Sequence, residues 1–282
     1  MCKRSCPWTM IWLASQSLWF GHVFADDPKP DDTAKIEAKA AAELATAEME
    51  RWTFRLPKEP GRELKLVTTP ILRWTNPAVG RVYGNVYIVT GDNCPQAITC
   101  PYKWFVPYTS LDMECVSLAS TGIEGIREGK SVWLTDKPGV DLKPVPGNPM
   151  VGKSNLERQR QMKKLAEDFT GELLDMRVND KGEDQQLRQM TQPVYRYESA
   201  THHVIDGAVF AFVVGTDPEL FLLLEAVDSA PTAIWRYGLA RMNTDRLAVK
   251  FQQKEVWRVG KVTHEVSKTG KLTYFSFNVN PK

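Results

Sequence analysis

The sequence predicts an α+β fold that is β-rich and antiparallel. It is organised as two tandem helix-then-sheet units, free to pack as one pseudo-symmetric domain. Three observations predict this. Most of the chain carries the hydrophobic pattern of strands and hairpins. Two segments match each other at a constant offset of 123 residues. A stretch rich in Pro and Gly, residues 135–153, lies between them.

Residues 1–25 read as a signal peptide and are set apart from the fold. Lys3 and Arg4 form the positive start, Trp8 to Phe24 is mostly apolar and free of acids, and Val23 and Ala25 fit a small-residue cleavage site before Asp26. Ser15, Gln16 and Ser17 interrupt the run, which makes it a poor membrane span. An uncleaved anchor is the alternative. Cleavage places the protein in the periplasm or outside the cell, with no transmembrane span. It removes both charges of the formal +2 and two of the five cysteines.

Residues 26–52 are assigned to an N-terminal helix, about Thr33 to Trp52. This stretch is rich in Ala, Glu and Lys, with high helix propensity and a thin apolar face. Residues 53–134 form the first β unit. Val82 to Val89 has strand period, Gly91-Asp92-Asn93 breaks it, and Ala97 to Phe105 resumes it. Leu111 to Leu118 follows Pro107, and a hairpin around Glu128-Gly129-Lys130 joins Gly125–Arg127 to Val132–Leu134. Residues 154–282 comprise a helix and the second β unit. Ser154 to Glu157 is a capping box, and Met162, Leu165, Phe169, Leu173 and Met176 recur as an amphipathic stripe. Strands are expected over Val204–Val214, Leu220–Val227, Ile234–Met242, Leu247–Phe251 and Glu255–Val259.

The duplication rests on ordered matches. Pro70-Ile-Leu-Arg73-Trp74 aligns with Pro193-Val-Tyr-Arg196-Tyr197, and Gly84-Asn-Val86-Tyr87 with Gly207-Ala-Val209-Phe210. Pro95-Gln96 aligns with Pro218-Glu219 and Ile126-Arg127 with Val249-Lys250. One inserted residue later, Lys130-Ser-Val132-Trp133 aligns with Lys254-Glu-Val256-Trp257. A sheet must bury its apolar face, so each helix covers its sheet or the two sheets pack together.

Composition excludes more than it identifies. With 43% hydrophobic and 25% charged residues the chain is neither disordered nor a polytopic membrane protein, and its charge balance gives no reason to expect nucleic acid. Gly147 to Ser154 matches the Walker A spelling, but Pro149 removes an amide and no buried parallel strand precedes it. The linker reading is preferred and no cofactor is assigned. His202, His203 and Asp206 have no metal-site spacing, because neighbours on extended chain point apart. Ser110 and Ser117 have no evident base, so no catalytic or metal residue is assigned. If the 98–105 and 111–118 strands close at Pro107-Tyr108, Cys100 faces Cys115 and a disulfide is expected; Cys94–Cys100 is the alternative. Arg73 and Arg196 occupy equivalent places beside aromatic residues. They are anion-binding candidates, set against stacking or internal ion pairs. Acids dominate residues 26–50 and bases dominate 233–282, which reads as complementary solvated faces.

Asp206 to Glu219, Trp235 to Asn243 and Lys254 to Trp257 resemble uncharacterised exported proteins of planctomycete-type bacteria, and the resemblance spans about residues 70–260. It implies export and fold, and no particular activity; the three cysteines lie outside the pattern. The expected function is a non-catalytic extracytoplasmic binding or scaffold protein of unknown partner. A carrier of an apolar ligand under a helix, and a hydrolase with its site between the units, are the alternatives.

Overall fold

The computed structural model describes residues 32–59, 63–175, 183–229 and 231–279. The predicted signal peptide lies outside them, as does Met176 of the predicted helical stripe. No helix among the described residues is long and apolar enough to cross a membrane.

The first half begins with α1 (Asp32–Met49), whose buried face is Glu37, Ala41, Ala45, Glu48 and Met49. The predicted helix reached Trp52, but Trp52-Thr-Phe-Arg alternates between buried and exposed and forms β1 (Trp52–Arg55). There follow β2 (Glu63–Thr75), β3 (Arg81–Gly91), β4 (Cys94–Val106), β5 (Leu111–Ser117), β6 (Ile123–Arg127) and β7 (Lys130–Thr135). Two turns explain two of the hairpins. Asp92-Asn93 and Glu128-Gly129 all take positive φ, between 48° and 76°, which matches the right-handed twist of paired strands.

Beyond β7 come β8 (Lys143–Pro144) and α2 (Asn155–Glu167), which starts on the predicted capping box. The helix then stops short of the predicted stripe. Phe169, Gly171 and Leu173 are buried while Thr170, Glu172 and Leu174 are partly exposed. That is period two, and the segment is β9 (Phe169–Asp175). Gly171 supplies the reason: a Cβ there would lie 3.2 Å from both Leu220 and Phe212, so the backbone itself packs on the neighbouring sheet. The second half continues as β10 (Glu183–Gln186), β11 (Arg188–Gln189), β12 (Tyr195–Ser199), β13 (Val204–Val214), β14 (Asp217–Val227), β15 (Ile234–Arg241), β16 (Arg246–Phe251) and β17 (Lys254–Val259). It ends with α3 (His264–Ser267) and β18 (Tyr274–Asn278).

All the recorded strand pairings are antiparallel, so the predicted β-rich antiparallel class holds. One eight-stranded sheet runs β18-β5-β4-β3-β2-β1-β6-β7. Its ends meet just before β18, where the Leu134 amide donates to the Gly270 carbonyl at 2.7 Å, so the sheet is a nearly closed barrel. The second half forms β11-β13-β14-β15-β8, with β12 also on β13, and β10-β9-β16-β17. The strands that follow each half cross over. β8 follows β7 but pairs with β15, and β18 follows β17 but pairs with β5.

Three cores result. Met49, Trp52, Tyr87, Met113 and Trp133 fill the first half beneath α1. Met162, Leu165, Phe169, Phe210 and Trp235 fill the second beneath α2. Between the halves, Val86, Ile88 and Ile98 of one sheet pack with Val209, Ala211 and Phe221 of the other. Helix cover and sheet-on-sheet packing thus occur together. Central strands are therefore buried on both faces, as β3 and β13 are along most of their length.

Candidate functional site

Where the halves meet, beside the crossing strand β18, a half-open cleft of about 1130 Å³ is left. Its floor is made by β5 and β18. On β5, Met113 and Cys115 point into the first core, so Asp112 and Glu114 share the opposite face. Pairing sets Asn278 opposite Asp112 and Ser276 opposite Glu114. Asp112 accepts from Ser110 Oγ at 2.5 Å and from Asn278 Nδ2 at 3.0 Å. Glu114 accepts from the buried Tyr274 hydroxyl at 2.5 Å.

Burial decides the electrostatics of the floor. It raises the Asp112 carboxyl above its ordinary value, although the Ser110 and Asn278 hydrogen bonds oppose it. It also pushes the Tyr274 and Tyr102 phenols well up, and the charge of Glu114 adds to this. Both phenols are thus neutral hydrogen-bonding groups.

The facing wall comes from the turn between β15 and β16 and from the segment leading into α3. Buried Arg241 organises it, donating to the carbonyls of Asn243 and Asp245, each at 2.7 Å, and of Gly260 at 2.9 Å. Its guanidinium carbon lies 5.6 Å from the ring centre of Tyr274, tying this wall to the floor. Asp245 pairs with Lys261 at 3.3 Å. At the mouth, Trp104 and Tyr108 of the β4–β5 hairpin meet edge to face at 5.2 Å, and Tyr108 is 61% exposed. The site therefore combines an aromatic mouth with a floor of oriented polar atoms.

The Cys100–Cys115 disulfide is not formed. Cys100 stands opposite Glu114, and Cys115 opposite Thr99, one residue off the predicted register. A one-residue slip sends the two thiols to opposite faces, Cys100 into the central core and Cys115 into the first. Cys94, Cys100 and Cys115 are all free and buried. Burial raises the Cys94 thiol to about 11 and the other two well above their ordinary value, which makes all three poor nucleophiles.

Arg73 and Arg196 are not brought together at a site. Arg73 is exposed opposite Asn85 on β3. Arg196 already holds an anion of the chain itself, Asp206, at 2.5 Å. In the Walker-like segment the amides of Gly152 and Ser154 donate to Gln161 and Glu157 side chains, at 2.7 and 2.9 Å. The preceding β8 is antiparallel to β15, so these residues are a linker and helix cap. His202 and His203 sit in a turn, and His264 lines the cleft as the first residue of α3.

Asp112, Glu114, Tyr274 and Arg241 were missed from sequence. A signal was present in Leu111-Asp-Met-Glu114, where two acids alternate with apolar residues inside a strand otherwise suited to burial. No protein-family model, curated protein or solved structure matches the chain.

Proposed function

We propose that the chain is an exported, non-catalytic binding protein, derived by tandem duplication, whose ligand sits in the cleft between the two units. One observation carries the binding reading: a half-open cleft whose walls come from both halves, with its polar groups already held in place by their own hydrogen bonds. Such preorganisation lowers the ordering cost of binding. At about 1130 Å³ the cleft is slightly larger than the range usual for small-molecule sites, roughly 300–1,000 Å³.

The duplication is supported by the positions of matching elements. Residues 81 and 204 open β3 and β13, and 94 and 217 open β4 and β14; each pair is 123 apart. Packing supports it too. Gly84 lies against Trp74, and Gly207 lies against Tyr197. The crossing strands β8 and β18 occupy matching places in the two sheets, each on the fourth strand of the other unit's β2–β5 or β12–β15 run.

The space beneath each helix is filled by side chains, so no observation favours an apolar carrier. The hydrolase reading has one feature in its favour, the carboxyls of Asp112 and Glu114 two residues apart on one strand face. Native mass spectrometry of protein recovered from the exported fraction of a bacterial host tests the proposal. We expect a mature chain beginning at Asp26, carrying a small molecule that is lost from Trp104→Ala and Asp112→Asn. A bound molecule indifferent to both substitutions, or turnover of a substrate abolished by Asp112→Asn, contradicts the reading.

A further inference from the structure

We propose that a second copy of this chain docks on β17, the two strands pairing antiparallel about a two-fold axis with Glu255 of each copy opposite Arg258 of the other. The proposal is independent of what the cleft binds. Strand β17 is an edge of its sheet and pairs only with β16. The matching edge in the first half, β7, is covered by the chain itself. The β6–β7 and β16–β17 hairpins both turn on two residues of positive φ, and each skips one residue of its outer strand, Val132 and Val256. Leu134 and Arg258 therefore hold matching places. The Leu134 amide points away from β6 and donates to the Gly270 carbonyl, and the Trp133 indole donates to the Leu272 carbonyl at 2.8 Å. No backbone hydrogen bond reaches the same edge of β17 among the described residues.

Two positions present backbone groups along that edge. Arg258 turns its amide outward, as Leu134 does. Phe251 and Lys254 flank the two-residue turn and bond each other, which turns the backbone groups of Glu255 outward as well. Laid antiparallel against itself in the register that joins these positions, β17 sets Glu255 against Arg258 twice, Lys254 against Val259 and Val256 against Trp257. No like charges are opposed, and opposite charges directly across a strand pair attract. Charged edges ordinarily resist such pairing; this charge order permits it in one register. The contact is isologous, so it closes at two copies. It also covers more of Val256, Trp257 and Val259, which already pack on the second core. In the single chain Glu255 and Arg258 are exposed and pair with each other.

A six-residue strand pair is small for an interface, so the dimer is expected to dissociate on dilution. Sedimentation velocity of the full mature chain over a dilution series tests this, and a monomer–dimer equilibrium is the expected result. Glu255→Arg sets base against base and Arg258→Glu sets acid against acid, and each alone is expected to weaken dimerisation about tenfold. Mixed in equal amounts, the two variants complement each other, and dimerisation is expected to recover. Arg258→Pro removes an amide that faces away from β16 and is expected to leave the hairpin paired and the chain monomeric. Both charged side chains are exposed, so the charge reversals keep the fold and the test stands even where the proline variant fails to fold. A monomer at every concentration, a dimer indifferent to these substitutions, or charge-reversed variants that the mixture does not restore would overturn the proposal.

Discussion

Gly84 has no room for a side chain. A Cβ built on it would lie 2.0 Å from Trp74 Cε2, and one on Gly207 would lie 2.5 Å from Tyr197 Cε2. In both places an aromatic ring lies flat over the strand beside it, and the ring's polar atom finds a buried partner: Trp74 Nε1 on Cys100 Sγ at 3.1 Å, Tyr197 hydroxyl on Glu225 at 2.8 Å. Gly84→Ala and Gly207→Ala must each displace a packed ring, and we expect each to cost about 1–3 kcal/mol. Chemical-denaturation midpoints measure this, and an unchanged midpoint in either variant contradicts the packing. Asp112 adds a pH signature. Its raised carboxyl makes the folded chain hold a proton that the unfolded chain has released. Its contribution is therefore greatest below the unfolded value and is lost as pH rises through the folded one. Asp112→Asn, uncharged throughout, is expected to gain stability relative to wild type between about pH 3 and about pH 7. Unfolding curves at both ends of that window check it, and a constant difference contradicts it. At this scale the glycines and their aromatic neighbours were legible, because both recur at one offset. The cysteine pairing was not. Register depends on where a hairpin turns, and a shift of one residue reverses every side chain.

Helix α1 depends on Glu48 for its docking. Its exposed face is mostly polar, with Ile36 and Leu44 also outside, and its buried face is small, so propensity alone does not dock it. Glu48, 2% exposed, accepts from Trp52 Nε1 at 2.8 Å and from Arg127 Nε at 2.6 Å. This joins the helix to β1 and to β6. Arg127 is itself only 17% exposed, so Glu48→Ala takes the acceptor from an indole N–H and leaves a mostly buried guanidinium only the longer 3.7 Å contact to Glu128. We expect a loss of about 3–5 kcal/mol. Glu48→Gln keeps an acceptor and is expected to lose less. Urea midpoints of the two variants decide, and equal small effects contradict the docking role. A lone acid near a helix end gave no sequence cue to this, because its partners lie in strands far along the chain. The α2–β9 boundary was misread for a related reason. Phe169 and Leu173 fit both a helical stripe and a strand face, and packing against Phe212 and Leu220 selects the strand.

Across the whole molecule, the β-rich antiparallel class was legible in the sequence, while the crossing of the strands was not. Periodicity reports local structure, whereas β5 meets β18 across more than half the chain. That crossing frames the cleft, since Tyr274 and Asn278 arrive on a strand that follows the other half. Through these crossings the two halves complete each other rather than standing in series. The direct test is a specific protease site placed between Gly147 and Gly152 of the full chain, which leaves β8 and β18 attached to their own halves. After cleavage we expect one particle on size exclusion, with a single cooperative unfolding transition. Two pieces that separate and unfold independently would contradict it.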